Sequence, residues 1–258
     1  MIENLRFGLS PVARATSRPS SPLSGTRLST SPFLSPGELH ALEGIVSPAR
    51  SVRRGTDLIG EGERPDQLLI IARGWACRST TTPRGDRQYP ALLVPGDIGN
   101  LDSLLLDRLD YDVRTLTDAL VTAMPRDRVL ALIAEHPGIA RTFTWLALVE
   151  NVTLSKLTLS LGRRSARERL AHLLCELSAR LGGEVGDESS FSYPLTQEHL
   201  ADALGLTPVH VNRVMQRLRA EGVIATGLRT MTVPDMGRLR EIGGFDPAYL
   251  HLRSPQDA

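Results

Sequence analysis

The sequence predicts an α+β protein made of an N-terminal β-roll, a long helix and a C-terminal winged helix-turn-helix. Residues 48–125 carry short apolar runs separated by turn residues, as a small β-roll does. Residues 138–162 carry apolar positions on more than one face of a helix. Residues 195–224 have the pattern of two capped helices joined at a glycine. The predicted parts of the chain are residues 1–34, 35–137, 138–164 and 165–258.

Composition limits the class of protein. A chain of 258 residues is long enough for two modest domains. The formal net charge of +1 excludes a globally basic protein, so affinity for nucleic acid has to come from a local patch. Two cysteines, Cys77 and Cys175, are too few for a disulfide framework or a Cys-based zinc site. We therefore expect no metal, a cytoplasmic location and, since no apolar run approaches the ~20 residues of a spanning helix, no membrane contact.

The first 34 residues predict a disordered tail. They are rich in Ser, Pro and Arg and have no apolar period. A basic arm that touches phosphates is the alternative. Ordered structure is expected from Ser35, which can cap a helix that has Pro36 at its first position and Glu38 as the second half of a capping box.

Residues 35–137 predict a β-roll domain. The runs QLLIIARG, ACRSTTT, YPALLV and LVTAM alternate with GEGERPD, PRGD and VPGD, which is typical of short strands and tight corners. Glycines stand where these strands turn, and each one most simply supplies a positive φ. They are Gly55, Gly62, Gly74 and Gly96.

Residues 138–164 predict a dimerisation helix. A helix that is apolar on several sides must be buried on several sides. We expect one face to cover the β-roll and another to pack on a second copy of the chain, through Leu146, Val149 and Leu157. Complete burial within a monomer is the alternative. A further helix follows in SARERLAHLLCELSARLGG and ends at Gly182-Gly183.

The segment LTQEHLADALGLTPVHVNRVMQRLRAEGVI predicts a helix-turn-helix. Thr196 can cap the first helix, Gly205 allows the sharp turn, and Thr207 can cap a second helix that has Pro208 at its first position. Apolar side chains recur on the second helix at steps of three and four, so they pack inward. EGVIATGLRTMTV then predicts a hairpin or wing with Arg229 near its tip.

The outward face of the second helix suits a DNA major groove. Residues 206–219 hold three arginines and no acidic residue. Arg213 can pair with guanine, and Asn212 or Gln216 can read adenine. Hydroxyl and amide groups near the helix starts suit phosphates. The predicted DNA-binding residues are Thr196, Gln197, Thr207, Pro208, Val209, His210, Asn212, Arg213, Gln216 and Arg217.

Two other functions compete with DNA binding. One is a ligand-binding module whose winged helix contacts protein partners. The other is an enzyme, but the sequence contains no P-loop, no GxSxG, no HExxH and no complete GxGxxG after a strand. We therefore expect no catalytic residues.

Over residues 36–250 the chain resembles the Crp/Fnr family of bacterial transcription regulators. The similarity rests on GDRQYPALLVPGDIGNLDSLL, which resembles the later strands of that family's β-roll, and on GLTPVHVNRVMQRLRAEGVI, which resembles its recognition helix. The resemblance implies that residues 35–137 form a cupin-like β-roll, related to cyclic-nucleotide-binding domains, that senses an effector. It also implies a homodimer, binding to a palindromic site on double-stranded DNA and contact with RNA polymerase.

The chain departs from this family in the phosphate-binding cassette. In cyclic-AMP-binding members a Gly-Glu-Leu holds the ribose, and a later arginine pairs with the phosphate. Here the first triplet is Gly99, Asn100 and Leu101, and the arginine position falls near Asp110 and Tyr111. A carboxylate beside an anionic phosphate repels it, so we expect no cyclic-AMP binding. Arg108 or Arg114 fits the arginine position only if the alignment slips.

Other cofactors of the family find no convincing ligands. The first 34 residues lack cysteine, which excludes the family's N-terminal iron–sulfur cluster. A haem would need His40 or His136 as its axial ligand, and a lone histidine is more often structural. Oxidation of Cys175 is an alternative signal. In the recognition helix Val209 stands where many members have glutamate, so apolar contact with a thymine methyl is expected there. Whether the protein needs any ligand is left open.

Overall fold

A computed structural model describes residues 23–182, 184, 185 and 187–252 of the chain. It is a mixed structure of helix and sheet, as predicted. The first part contains a short helix and seven strands. They are α1 (Pro36–Glu43), β1 (Arg50–Val52), β2 (Asp57–Ile59), β3 (Gln67–Arg73), β4 (Ala76–Thr81), β5 (Arg87–Leu93), β6 (Asp112–Thr115) and β7 (Ala119–Pro125).

The seven strands form two antiparallel sheets that face each other across an apolar core. One sheet has the order β1-β7-β3 and the other β2-β6-β4-β5. Ile71, Val113 and Val121 lie fully buried in this core. All four glycines expected at corners have positive φ. At Gly74 an added Cβ would lie 2.4 Å from the Asp118 carbonyl oxygen, so this corner admits glycine alone.

Ordered structure is present on the N-terminal side of the predicted boundary at residue 35. Leu23 and Leu28 are buried, and the Ser31 and Thr142 hydroxyls are hydrogen-bonded at 2.7 Å. The prediction of a tail that extends to residue 34 is therefore wrong for residues 23–34. Short segments of this kind are stabilised by distant parts of the chain, which leaves no local period to detect. Residues 1–22 of the predicted tail lie outside the described residues.

Three helices follow the β-roll: α2 (Arg126–Glu135), α3 (Pro137–Arg163) and α4 (Ala166–Leu181). The capping box at Ser35 is present, as predicted. Its Glu38 carboxylate also accepts a hydrogen bond from the backbone N–H of Gly138 at 2.8 Å. One carboxylate thus caps α1 and the start of α3, where a helix N-terminus favours negative charge.

The C-terminal part is a winged helix-turn-helix that packs on α4. Its four-stranded sheet has the order β10-β11-β9-β8. The β10–β11 hairpin is the predicted wing. The elements are β8 (Glu184–Val185), β9 (Glu188–Ser192), α5 (Gln197–Leu204), α6 (Pro208–Ala220), β10 (Ala225–Thr226), β11 (Thr230–Val233) and α7 (Met236–Gly243).

The helix-turn-helix is docked on the outer strand of the β-roll. Buried residues of both parts belong to one apolar cluster, which includes Tyr89 of β5 and Leu200 of α5. Arg87 on β5 forms an ion pair with Asp202 on α5 at 2.6 Å. Gln88 donates a hydrogen bond to the Ala203 carbonyl at 3.1 Å. In the described part of the chain no helix is long and apolar enough to span a membrane.

Helices α4 and α7 pack closely at Gly243, and we expect this position to tolerate no larger residue. An added Cβ there would lie 2.7 Å from the His172 backbone nitrogen and 2.9 Å from the His172 Cα. We expect Gly243→Ala to lower the free energy of unfolding by about 1–3 kcal/mol, because α4 and α7 must separate. Chemical denaturation measures this. Gly37→Ala is the control, since nothing lies within 4 Å of a Cβ there, and an equal loss in both variants would contradict the packing argument.

Candidate DNA-binding surface and sensor cavity

The helix-turn-helix is positioned by local hydrogen bonds. The Thr196 hydroxyl accepts from the His199 N–H, and the Thr207 hydroxyl accepts from the His210 N–H, both at 3.2 Å. Gly205 joins the two helices in the left-handed conformation, with φ +61°. The predicted caps and corner are therefore present. Both threonine hydroxyls are engaged in capping the helices.

Helix α6 buries one face and exposes the other. The buried residues are Val211, Val214, Met215 and Leu218. The exposed side forms a shallow depression with part of α5. It is lined by Gln197, Pro208, Val209, Asn212, Arg213 and Gln216. Six of the predicted DNA-binding residues thus share one surface.

The charge on this surface is positive. His210, Arg213 and Arg217 are exposed on α6. Arg219 donates a hydrogen bond to the Thr226 hydroxyl at 3.1 Å, which ties the end of α6 to the wing. On α5, burial lowers the pKa of His199, and Arg54 of the β-roll lowers it further. A basic helix face beside a wing is suited to a DNA groove and its phosphates.

A cavity of about 910 Å³ lies between the β-roll, α3 and α4. Most of its wall is apolar, with leucines from all three parts. Polar groups line it as well. They include Arg78, Asp102, Asp110, Tyr111, Glu150, Glu176 and Arg180.

The predicted cassette residues divide into two groups. Leu101, Asp110 and Tyr111 line the cavity. Gly99 and Asn100 do not; they shape the loop beside it. The Asn100 side chain is fully buried, accepts from the Leu69 N–H at 2.8 Å and donates to the Gln67 carbonyl at 2.8 Å. Its placement in the effector pocket is therefore wrong, because its amide is used up by the backbone of β3.

The cavity contains an arginine that the sequence argument missed. Arg78 on β4 forms a bidentate ion pair with Glu150 on α3, with N–O distances of 2.9 and 3.1 Å. Burial alone would lower the pKa of Arg78, but Glu150 and Tyr111 raise it, and the net direction is upward. The alternatives Arg108 and Arg114 instead donate to the carbonyls of Gly62 and Gly55.

The predicted dimerisation residues do not share an exposed face. Leu146 and Val149 are buried against the chain's own core, and Leu157 is half-buried in the cavity wall. The prediction that Leu146 and Val149 contact a second copy is wrong. Helical periodicity alone cannot tell which apolar face its own domain covers. The large exposed apolar residues of α3 are Leu148, Leu154 and Leu159.

The other candidate signal-binding residues are poorly placed. The His40 side chain is 89% exposed and lies near Glu43. His136 stands at the start of α3 without a side-chain capping bond. No group of three or more potential metal ligands occurs among the described residues. Cys77 and Cys175 are both fully buried.

Comparisons with known proteins agree with this architecture. The cyclic nucleotide-binding domain model matches residues 49–136, and the Crp-like helix-turn-helix model matches residues 168–242. Transcriptional activator protein FnrL of Cereibacter sphaeroides is 33% identical over 81% of this chain and 85% of its own. The chain belongs to the Crp/Fnr family. It is a transcriptional regulator with a helix-turn-helix DNA-binding domain.

Two further proteins are similar to this chain over most of its length. A probable transcriptional activator of Rhizobium leguminosarum bv. viciae is 30% identical over 81% of this chain and 86% of its own. The structure of FixK2 from Bradyrhizobium japonicum is similar, with a TM-score of 0.70 at 24% identity, over 77% of this chain and 98% of that one. This structural similarity shows that the fold is shared.

Burial of the cysteines predicts that their thiols are unreactive. Burial raises the pKa of Cys77 to about 12, and Cys175 is fully buried in α4. We expect neither thiol to react with a disulfide reagent such as DTNB in the folded protein, and both to react in guanidinium chloride. Rapid reaction of one thiol in the folded protein would show that a cysteine remains available for oxidation.

Proposed function

We propose that this Crp/Fnr regulator acts as a homodimer in the cytoplasm and binds a palindromic operator without cyclic AMP, iron–sulfur cluster or haem. The observation that carries the proposal is the shared exposed surface of α5 and α6. Two copies would present α6 to half-sites about one DNA turn apart, ~34 Å. Contact with RNA polymerase is proposed from the family alone.

The exposed face of α3 supports a dimer. Leu148, Leu154 and Leu159 are 61%, 47% and 46% exposed. Leu148 and Leu159 are eleven residues apart on a helix of 27 residues, which places them on one face, whereas Leu154 is turned about 120° away and lines the cavity. Large apolar side chains repeated on one long helix indicate an interface. A second α3 covers Leu148 and Leu159 without any change in the monomer core.

Base recognition is assigned to the middle of α6. Arg213 is exposed and, having a forked guanidinium, suits the two acceptors of guanine. Val209 is 71% exposed at the helix start and offers only apolar contact, for which a thymine methyl is the matching group. Asn212 and Gln216 lie in the same depression and suit adenine.

The charges in the cavity argue against cyclic AMP. Asp102, Asp110 and Glu150 line it. Of the arginines that also line it, Arg78 is paired with Glu150 and Arg180 with Asp97 and Glu176, while Arg27 and Arg169 donate to backbone carbonyls. To bind Arg78, an anionic phosphate would have to displace the Glu150 carboxylate. Isothermal titration calorimetry with cyclic AMP is expected to show no saturable heat. Saturable binding at micromolar concentration would contradict this part of the proposal.

Selection of bound sequences from a random duplex pool tests DNA recognition, at moderate salt and with no added ligand. A two-fold symmetric motif with a guanine in each half-site is the expected outcome. Arg213→Ala should weaken binding to that motif by about 1–3 kcal/mol and relax the preference at the guanine. The control is Arg128→Ala, which removes an exposed arginine from α2 of the β-roll. Equal losses on the motif and on random DNA would contradict base recognition by Arg213.

Sedimentation velocity tests the dimer. We expect the double variant Leu148→Glu/Leu159→Glu to sediment as a folded monomer, because two carboxylates per chain would be buried unpaired. Leu228→Glu is the matched control, since Leu228 is fully exposed on the wing, far from α3 in sequence. A dimer that withstands the double substitution would place the interface elsewhere.

A further inference from the structure

An ion pair between Arg78 and Glu150 links the β-roll to α3 across the cavity. Among the described residues, Arg78–Glu150 is the only ion pair between a strand of the β-roll and α3. Arg78 lies on β4 of the β-roll, and Glu150 lies on α3, which leads into α4 and the helix-turn-helix. The contacts of the pair are therefore contacts between the sensor and the proposed dimer helix.

The guanidinium of Arg78 is held from three directions. The two Nη atoms bind the Glu150 carboxylate, and Nε donates to the Gly99 carbonyl at 2.8 Å. A second hydrogen bond, 3.4 Å long, runs from Nη2 to the Ile98 carbonyl. The Arg78 Cζ atom lies over the Tyr111 ring, 5.2 Å from the ring centroid. The Tyr111 hydroxyl donates a hydrogen bond to Asp102. A planar guanidinium bonded in this way has one permitted orientation. It therefore holds the loop at Ile98 and Gly99 in a fixed position relative to Glu150 on α3.

The Arg78 end of the pair is shielded from solvent, and the Glu150 end is partly exposed. The Arg78 side chain is 13% exposed and that of Glu150 37%. Exposed pairs contribute little, whereas removal of one partner from a shielded pair leaves an uncompensated charge. The cavity wall therefore favours the linked arrangement over a separated one.

We propose that the Arg78–Glu150 pair takes the place of an effector: it couples the β-roll loop at Ile98 and Gly99 to α3 and holds the DNA-binding arrangement with the cavity empty. The proposal rests on the proposed dimeric operator binding. It concerns positioning, since neither residue lies on the α5–α6 surface. Arg78, which could otherwise bond a small polar molecule between the loop and α3, is already bonded to Glu150 and to the Gly99 carbonyl.

The test uses the full chain, unfolded in guanidinium chloride, dialysed and refolded so that small molecules are lost. Affinity for the selected operator and for random duplex is measured by fluorescence anisotropy, with the active fraction determined by stoichiometric titration. We expect stripped wild type to keep its operator affinity. Glu150→Gln should bind the operator 10- to 100-fold more weakly, with unchanged affinity for random duplex and unchanged dimer mass.

Further variants separate coupling from a merely structural role. Glu150→Asp keeps the charge and should recover part of the affinity. The double variant Arg78→Gln/Glu150→Gln should bind the operator at least as tightly as the single variant with the lower affinity, because the two residues act through one interaction. Asp107→Asn is the matched control, since it removes a carboxylate from the exposed Arg64–Asp107 pair, whose side chains are 65% and 81% exposed. It should leave the affinity unchanged.

Two outcomes would overturn this proposal and leave the proposed operator binding intact. If Glu150→Gln lowers only the melting temperature, while its active fraction binds the operator as tightly as wild type, the pair is structural. If stripped wild type regains operator affinity only with a low-molecular-weight cell extract, an effector is required. Failure of wild type to select any sequence, with or without extract, would instead refute the proposed operator binding, and with it this inference.

Discussion

Burial of α3 is the constraint on which the rest of the structure depends. This helix of 27 residues is apolar on more than one face, and no single neighbour can cover it. Ile139, Phe143 and Leu146 pack with the N-terminal segment and β3 in one cluster. Its later turns line the cavity and contact a 3-10 turn at Pro247–Leu250, while Leu148 and Leu159 stay exposed. The helix thereby touches both domains and retains an apolar face for a further partner.

The short-range features of the chain follow from sequence because their partners lie within a few residues. Ser35, Thr196 and Thr207 were recognisable as caps since the N–H that each accepts from is three residues away. The same holds for the corner at Gly205 and for the exposed face of α6, whose period marks its buried side. The Crp/Fnr resemblance then located the cassette, but it placed Asn100 in the effector pocket. The Asn100 side chain instead stabilises the loop and does not line the cavity.

Features that depend on distant partners could not be predicted in the same way. Arg78 and Glu150 are 72 residues apart, and Ser31 and Thr142 are 111 apart. Neither separation leaves a local pattern. The exposed leucines of α3 were hidden for a related reason: periodicity finds apolar faces but cannot say which of them the chain itself covers. What was missed is therefore mainly the set of contacts that join one part of the chain to another.

A second buried cluster shows how the docking of the two domains is made specific. Arg180 on α4 donates to the Leu92 carbonyl at 2.9 Å and forms ion pairs with Asp97 at 2.5 Å and Glu176 at 3.1 Å. These three side chains are 11–13% exposed. Apolar surfaces alone would tolerate sliding between α4 and β5, because hydrophobic contact is not directional. Buried charges do not, since any shift leaves one of them unpaired. The positions of these buried charges thus fix the orientation of the helix-turn-helix on the β-roll. The apolar cluster around them stabilises the contact.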